Sequence, residues 1–242
     1  MQVNCLIVKR VVEGFISVEK VRVPMSDILA LDIETSNYSW VIGGWDKTAS
    51  FDPSVVATWD GDVGTIYCNK SLDIDATVKA LHPRTLGEDL ADHVEKGGKI
   101  IGHNIKGFDL PVLRDSLDCY TAGDLLGKAE SIIDTKHLVQ KAASSVGKID
   151  TSLGILTKTT LEDNKLMNSE DAPIAWRAGQ YDDVAKYCLS DAQLTFDLYN
   201  FGKSEGYIKS RNLETGEIKV HSRIVSRFET IDENGNKKFE KY

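Results

Sequence analysis

Residues 27–35 read DILALDIET, and this stretch decides the fold. Four apolar residues, Ile28-Leu29-Ala30-Leu31, run without a polar break into Asp32-Ile33-Glu34-Thr35. A short continuous apolar run bounded by turn-formers predicts a strand buried on both faces. Side chains alternate along a strand, so Asp32 and Glu34 project from the same face. They stand at the carboxyl end of the predicted strand, where open α/β sheets carry their sites. Two carboxylates this close repel unless a cation lies between them, and hard oxygen ligands suit Mg²⁺ or Mn²⁺. A strand end with two solvated acids has the same spelling, so the pair alone assigns no role.

Outward from that strand, residues 54–69 predict two strands joined at Asp60-Gly61-Asp62, a hairpin signal. Residues 86–98 predict a helix that stops at glycine, 99–104 a strand, and 107–117 a helix with Pro111 in its first turn. Further helices are expected at 132–144 and 151–158, and the most periodic segment, 181–202, predicts a long amphipathic helix. The sum is a mixed sheet flanked by helices, an α/β domain over 25–206. Residues 207–242 predict a small C-terminal β appendage of two hairpins, around Thr215-Gly216 and Asn234-Gly235. Residues 1–24 read either as an extra β element or as an extension upstream of Met25.

Composition excludes several classes. No apolar run reaches the ~18 residues of a membrane span, and the N-terminal segment has too short an apolar core for a secretory signal. Cys5, Cys68, Cys119 and Cys188 form no CxxC pair and read as reduced thiols of a cytoplasmic protein. The net charge of -8 counts against a generic nucleic-acid binder, because phosphate affinity comes from Lys and Arg. That acidity is confined to the centre: residues 25–202 carry 16 basic and 28 acidic side chains, while each flank is +2. Gly123–Lys128 is one residue short of a phosphate loop and lacks its Ser or Thr. Asp232–Asn236 has its glycine too early for a calcium loop and no closing glutamate.

Two further constellations hold acids. In IIGHNIKGFDLPVL (100–113) an apolar strand ends at Asn104, and Asp109 falls in the first turn of the next helix, where the helix dipole favours an acid in any case. His103 reads as a packing or hydrogen-bonding residue, since no second histidine falls at ligand spacing. In YCLSDAQL (187–194), Tyr187 and Asp191 are i and i+4 and share a helix face. Tyr120 and Asp124 have the same spacing, so this pattern alone carries little.

Together, and in this order, Asp32/Glu34, Asp109 and Tyr187/Asp191 resemble the three motifs of the DEDD exonuclease superfamily in its tyrosine-bearing branch. LDIET, GHNIKGFDLPVL and YCLSDAQL are similar to the proofreading domains of family B DNA polymerases and to stand-alone DnaQ-like exonucleases. The resemblance covers roughly residues 27–202, with residues 39–53 an extra loop. The histidine branch would place His five residues before the last Asp, where this chain has Lys186.

The resemblance implies an RNase H-like fold with a mixed five-stranded sheet, and 3′→5′ exonuclease activity at single-stranded ends by a two-metal mechanism using Mg²⁺ or Mn²⁺. It implies that Asp32 bridges the ions, Glu34 and Asp191 complete the water-activating site, and Asp109 holds the second ion. Tyr187 would orient the attacking water. Thr35 and Asn104 would contact the terminal nucleotide, and Phe108 would stack on a base or join the core. DNA is favoured over RNA as substrate, and the resemblance implies either a free-standing nuclease or a proofreading subunit that acts with a polymerase or other replication or repair protein. An RNA-trimming enzyme and a silent binding module on the same fold are the alternatives. Lys106, Lys165 and Arg177 are the local cations available to phosphate, although each reads as a solvated surface charge.

Overall fold

The computed structural model describes residues 5–12, 15–22, 27–143, 148–221, 230–231 and 237–238, with side chains over 27–143 and 148–218. Strands β1 (Cys5–Val12) and β2 (Phe15–Arg22) pair antiparallel as a separate two-stranded sheet. The central sheet comprises β3 (Ile28–Thr35), β4 (Pro53–Trp59), β5 (Gly64–Cys68), β6 (Thr77–Lys79), β7 (Lys99–Gly102) and β8 (Ile132–Asp134), in the order β6-β5-β4-β3-β7-β8. β3/β4 and β4/β5 are antiparallel, and the remaining pairs are parallel. This mixed sheet, flanked by helices, has six strands where five were expected, since the short β6 adds to the β5 edge, and it is consistent with an RNase H-like fold.

The hairpin between β4 and β5 turns where expected. Asp60 Oδ1 accepts the N–H groups of Asp62 and Val63 at 2.9 and 2.7 Å. Gly61 adopts φ +100°, and a Cβ there would lie 2.7 Å from the Phe196 ring, so glycine is required both by the turn and by the packing.

The helices are α1 (Ser39–Ile42), α2 (Pro83–Glu95), α3 (Asp109–Ser116), α4 (Tyr120–Gly127), α5 (Thr135–Ala143), α6 (Leu153–Thr160), α7 (Ala172–Arg177) and α8 (Tyr181–Glu205). α2 starts three residues earlier than its expected span, with Pro83 in the first turn and His82 Nδ1 accepting the Arg84 N–H at 3.2 Å. The helix expected at 132–144 is divided. Ile132-Ile133-Asp134 pairs with Ile100-Ile101-Gly102 as β8, and α5 begins only at Thr135. Two β-branched residues beside another such pair favour the sheet, while Asp134 Oδ1 accepts the His137 N–H at 3.1 Å and caps the helix. The phosphate-loop-like Gly123–Lys128 is largely taken up by α4.

The sheet divides two apolar layers. Ile28 and Ala30 of β3 pack with Val55, Ala57 and the inward side of α8 (Val184, Cys188, Ala192, Leu198). Leu31 and Ile33 face the opposite layer, with Leu86 and Leu90 of α2 and Leu110 and Leu113 of α3. The period of two therefore carries Asp32 and Glu34 onto the face that α8 covers.

Beyond α8, β9 (Ile208–Arg211) and β10 (Ile218–His221) pair antiparallel around Gly216. Thr160 Oγ1 of α6 accepts the Lys209 N–H at 2.9 Å and ties this hairpin to the domain. β11 (Thr230–Ile231) pairs with β12 (Lys237–Lys238); the expected turn at Asn234-Gly235 and the calcium-loop-like stretch at 232–236 lie outside the described residues. Among the described residues, Cys68, Cys119 and Cys188 are free and buried, and no helix is long and apolar enough to cross a membrane.

Candidate metal centre

β3 continues past the end of its parallel neighbour. β7 pairs only with Ile28, Leu29 and Ala30, so Asp32 and Glu34 emerge beyond the end of β7. α8 crosses the same region of β3 and β4 and contributes Asp191 from its buried stripe. Carboxylate oxygens of Asp32, Glu34 and Asp191 all lie within 4.8 Å of one another. Asp191 is 3% exposed and Glu34 9%. Asp32 Oδ2 and Asp191 Oδ1 are buried with no hydrogen-bond partner, and no other such side-chain atom occurs among the described residues. Buried polar atoms are nearly always satisfied, so two orphaned acceptors in one acid cluster fit a cation.

Asp109 lines the same cavity but does not belong to the tight group of three. It sits at the first position of α3, and the backbone N–H groups of Asp109 and Ile33 favour its charged form. Its loop is built by another acid. Asn104 takes φ +71°, and Asp134 accepts the Asn104 and Lys106 N–H groups at 3.2 and 3.1 Å. Asp134 thus holds the turn that delivers Asp109. It was not among the residues singled out from sequence; an Asp three residues before His137 at a helix start was the available signal. His103 bonds through both ring nitrogens, to Thr135 Oγ1 at 2.9 Å and the Thr151 carbonyl at 2.8 Å, and burial pushes its pKa down to about 4. It is a structural imidazole.

The electrostatics follow from burial. Desolvation, followed by the neighbouring carboxylates, raises Asp32 well above the usual range. Desolvation and Asp191 push Glu34 up to about 8. Desolvation drives Asp109 to about 7, against its backbone hydrogen bonds. Asp191 is also raised by burial, an effect opposed mainly by Lys165.

Lys165 is the cation that the sequence reading misjudged. Its Nζ lies 2.5 Å from Asp191 Oδ2, with the lysine side chain only 19% exposed, and 4.9 Å from the centre of the Tyr187 ring. A lone lysine in a polar stretch carries no mark of this; the ion pair arises because the segment before α7 folds over the cluster. Arg177 does read as expected, exposed, with Nε bonded to the Ser36 carbonyl at 3.1 Å. Lys106 is exposed as well.

Tyr187 is fully buried. Its hydroxyl bonds Ser169 Oγ at 3.1 Å beside the Asp191 carboxylate, and burial raises its pKa strongly. Thr35, Asn104 and Phe108 all line the cavity with the acids. Thr35 Oγ1 donates to the Asn37 carbonyl at 3.0 Å. Phe108 is half-buried and packs edge-on against Phe51 and Trp45, with centroids 5.1 and 5.3 Å apart. The cavity measures about 850 Å³, within the ~300–1,000 Å³ range of ligand sites. No protein-family model matches the sequence. A buried cluster of Asp32, Glu34 and Asp191 able to bind a metal ion, in a cavity shared with Asp109, is what this fold assembles at the end of β3.

Proposed function

We propose that the protein is a metal-dependent 3′→5′ exonuclease acting in the cytoplasm, releasing nucleoside 5′-monophosphates from single-stranded ends, with DNA favoured over RNA. The observation that carries this reading is the convergence of Asp32, Glu34 and Asp191 within 4.8 Å, two of their buried oxygens lacking partners. It is supported by the order of the acids along the chain and by Asp109 in the same cavity.

Hard carboxylate oxygens fit Mg²⁺ or Mn²⁺. Asp32, Glu34 and Asp191 would hold one ion, with Asp32 and Asp109 holding a second. Bound there, the cations would supply an activated water and stabilise charge on the phosphate oxygens. The chain's own residues do the rest. Burial of the acids excludes bulk water and keeps their charge unscreened. Asp134 fixes the loop that positions Asp109. The Tyr187 hydroxyl, beside Asp191 and bonded to Ser169, would orient the attacking water. Thr35 and Asn104 present polar groups to the terminal nucleotide. The cations also answer the net negative charge, because an enzyme that holds a few nucleotides of a frayed end needs no broad basic surface. A polymerase or another replication or repair protein is the partner that this activity would serve.

The test uses 3′- and 5′-labelled single-stranded DNA and RNA with Mg²⁺ or Mn²⁺, alongside Asp32→Ala and Asp109→Ala. Metal-dependent loss from the 3′ end is expected in the wild type, reduced by roughly a thousandfold or more in either variant. Absence of 3′ loss from both substrates would sink the enzyme; unchanged activity in the variants would sink the site.

A further inference from the structure

The loop between β3 and β4 carries a feature that the metal centre does not use. Trp40 and Trp45 are 64% and 67% exposed, yet both line the cavity that holds the four acids. Neither indole is loosely hung. Trp40 stacks on Tyr38 with centroids 4.1 Å apart and planes inclined by 19°, and Tyr38 is backed by the Arg177 guanidinium at 5.3 Å. Trp45 is gripped by Phe51 at 5.9 Å and Phe108 at 5.3 Å, and Phe108 directly precedes Asp109. Large aromatics held in place and left open to solvent mark a contact surface.

We propose that Trp40 and Trp45 form a stacking platform for the bases of the single strand that lead up to the scissile nucleotide. The occupant follows from continuity. Once the acid cluster and its cations hold the terminal phosphate, the attached strand must leave through the same cavity, and these two rings form part of its wall. Flat rings accept any base, since every base has a π-face. The platform therefore confers affinity for a strand longer than one nucleotide without sequence preference. It also supplies affinity that this acidic domain lacks in lysines and arginines. The proposal rests on the nuclease reading for the identity of the strand, but its binding test does not require turnover.

Fluorescence anisotropy of end-labelled single-stranded DNA and, separately, RNA is followed during titration with the full chain in the presence of Ca²⁺. A rise in anisotropy is expected with the wild type. Trp40→Ala and Trp45→Ala should each weaken binding roughly 5- to 100-fold, with Trp40→Phe and Trp45→Phe restoring most of it and Mn²⁺ binding unchanged throughout. In turnover, the alanine variants should raise KM for an oligonucleotide while leaving kcat intact. Cleavage of the p-nitrophenyl ester of thymidine 5′-phosphate, which has no second base, should be unaffected. Wild-type oligonucleotide affinity in the double alanine variant, with nuclease activity present, would overturn the platform and leave the nuclease standing. Tryptophan-dependent binding without nuclease activity would support the platform and overturn the nuclease.

Discussion

The chain spells tyrosine four residues before aspartate twice on a helix, and the two copies meet opposite fates. Tyr120 on α4 is 83% exposed and Asp124 is exposed beside it. Tyr187 and Asp191 on α8 are 0% and 3% exposed. Spacing puts both pairs on a single helix face, and what separates them is which face. On α4 the inward residues are Ala122 and Leu125, so the tyrosine and aspartate point to water. On α8 the inward stripe runs Val184, Tyr187, Cys188, Asp191, Thr195, Leu198, and the acid is embedded in it. An acid in an apolar stripe is costly unless something opposite repays it. Here the opposite face is β3 with two more acids, so the repayment is either a proton or a cation. Lys165 provides a cation, to Asp191 Oδ2.

Substitutions in matched pairs can break this comparison. The largest difference is expected in turnover: Asp191→Ala should cost roughly a thousandfold or more, and Tyr187→Phe roughly 10- to 100-fold through one lost hydrogen bond near charge. Asp124→Ala and Tyr120→Phe should leave rates on labelled single-stranded DNA within about twofold, as surface changes do. Equal effects at the two sites would mean that burial does not distinguish them.

A second contrast lies in metal-linked stability. At a concentration near a hundred times its Kd, Mn²⁺ should raise the Tm of the wild type and of Asp124→Ala by roughly 5–10 °C. In Asp191→Ala that rise should be largely lost. Calorimetry with and without a chelator reads it directly, and an undiminished shift in Asp191→Ala would place the ion elsewhere.

The smallest effect concerns pH in the absence of metal. Burial and mutual repulsion raise Asp32, Glu34 and Asp109 above their usual values, so between about pH 4 and 8 the folded chain binds more protons than the unfolded one. Stability is therefore present at low pH and lost as pH rises through about 7 and 8, where Asp109 and Glu34 ionise. Glu34→Gln removes one of the repelling charges. It should melt roughly 2–6 °C above the metal-free wild type at pH 8.5, with the gap closing toward pH 5. Asp124→Asn should follow the wild-type profile. A pH-independent gap for Glu34→Gln would show that its charge is not the cause.

Much of this centre is legible in the residues themselves. The run Ile28–Leu31 requires a buried strand, and its alternation puts Asp32 and Glu34 on one face. The stripe of α8 can be traced at i, i+3 and i+4, with Asp191 among its apolar members. Short elements escape such a reading. β6 and β8 have three residues each, too few to establish a period, and a sheet neighbour rather than local preference makes Ile132-Ile133 a strand. Asp134 and Lys165 escape it for a different reason. Each works through a partner distant in sequence: the N–H groups of Asn104 and Lys106 for one, the carboxylate of Asp191 for the other.

The sequence by itself therefore determined which faces the acids occupy, because side-chain direction along a strand or helix is a local property set by backbone geometry. Only the tertiary structure decided that three of those acids meet within 4.8 Å, that Asp109 joins their cavity from the far side of β3, that Lys165 rather than solvent faces Asp191, and that Tyr187 is buried where Tyr120 is not. Those outcomes depend on how α8 and the 103–109 loop dock at the end of β3. Docking is governed by the two apolar layers on either side of the sheet, which no single segment of the chain contains.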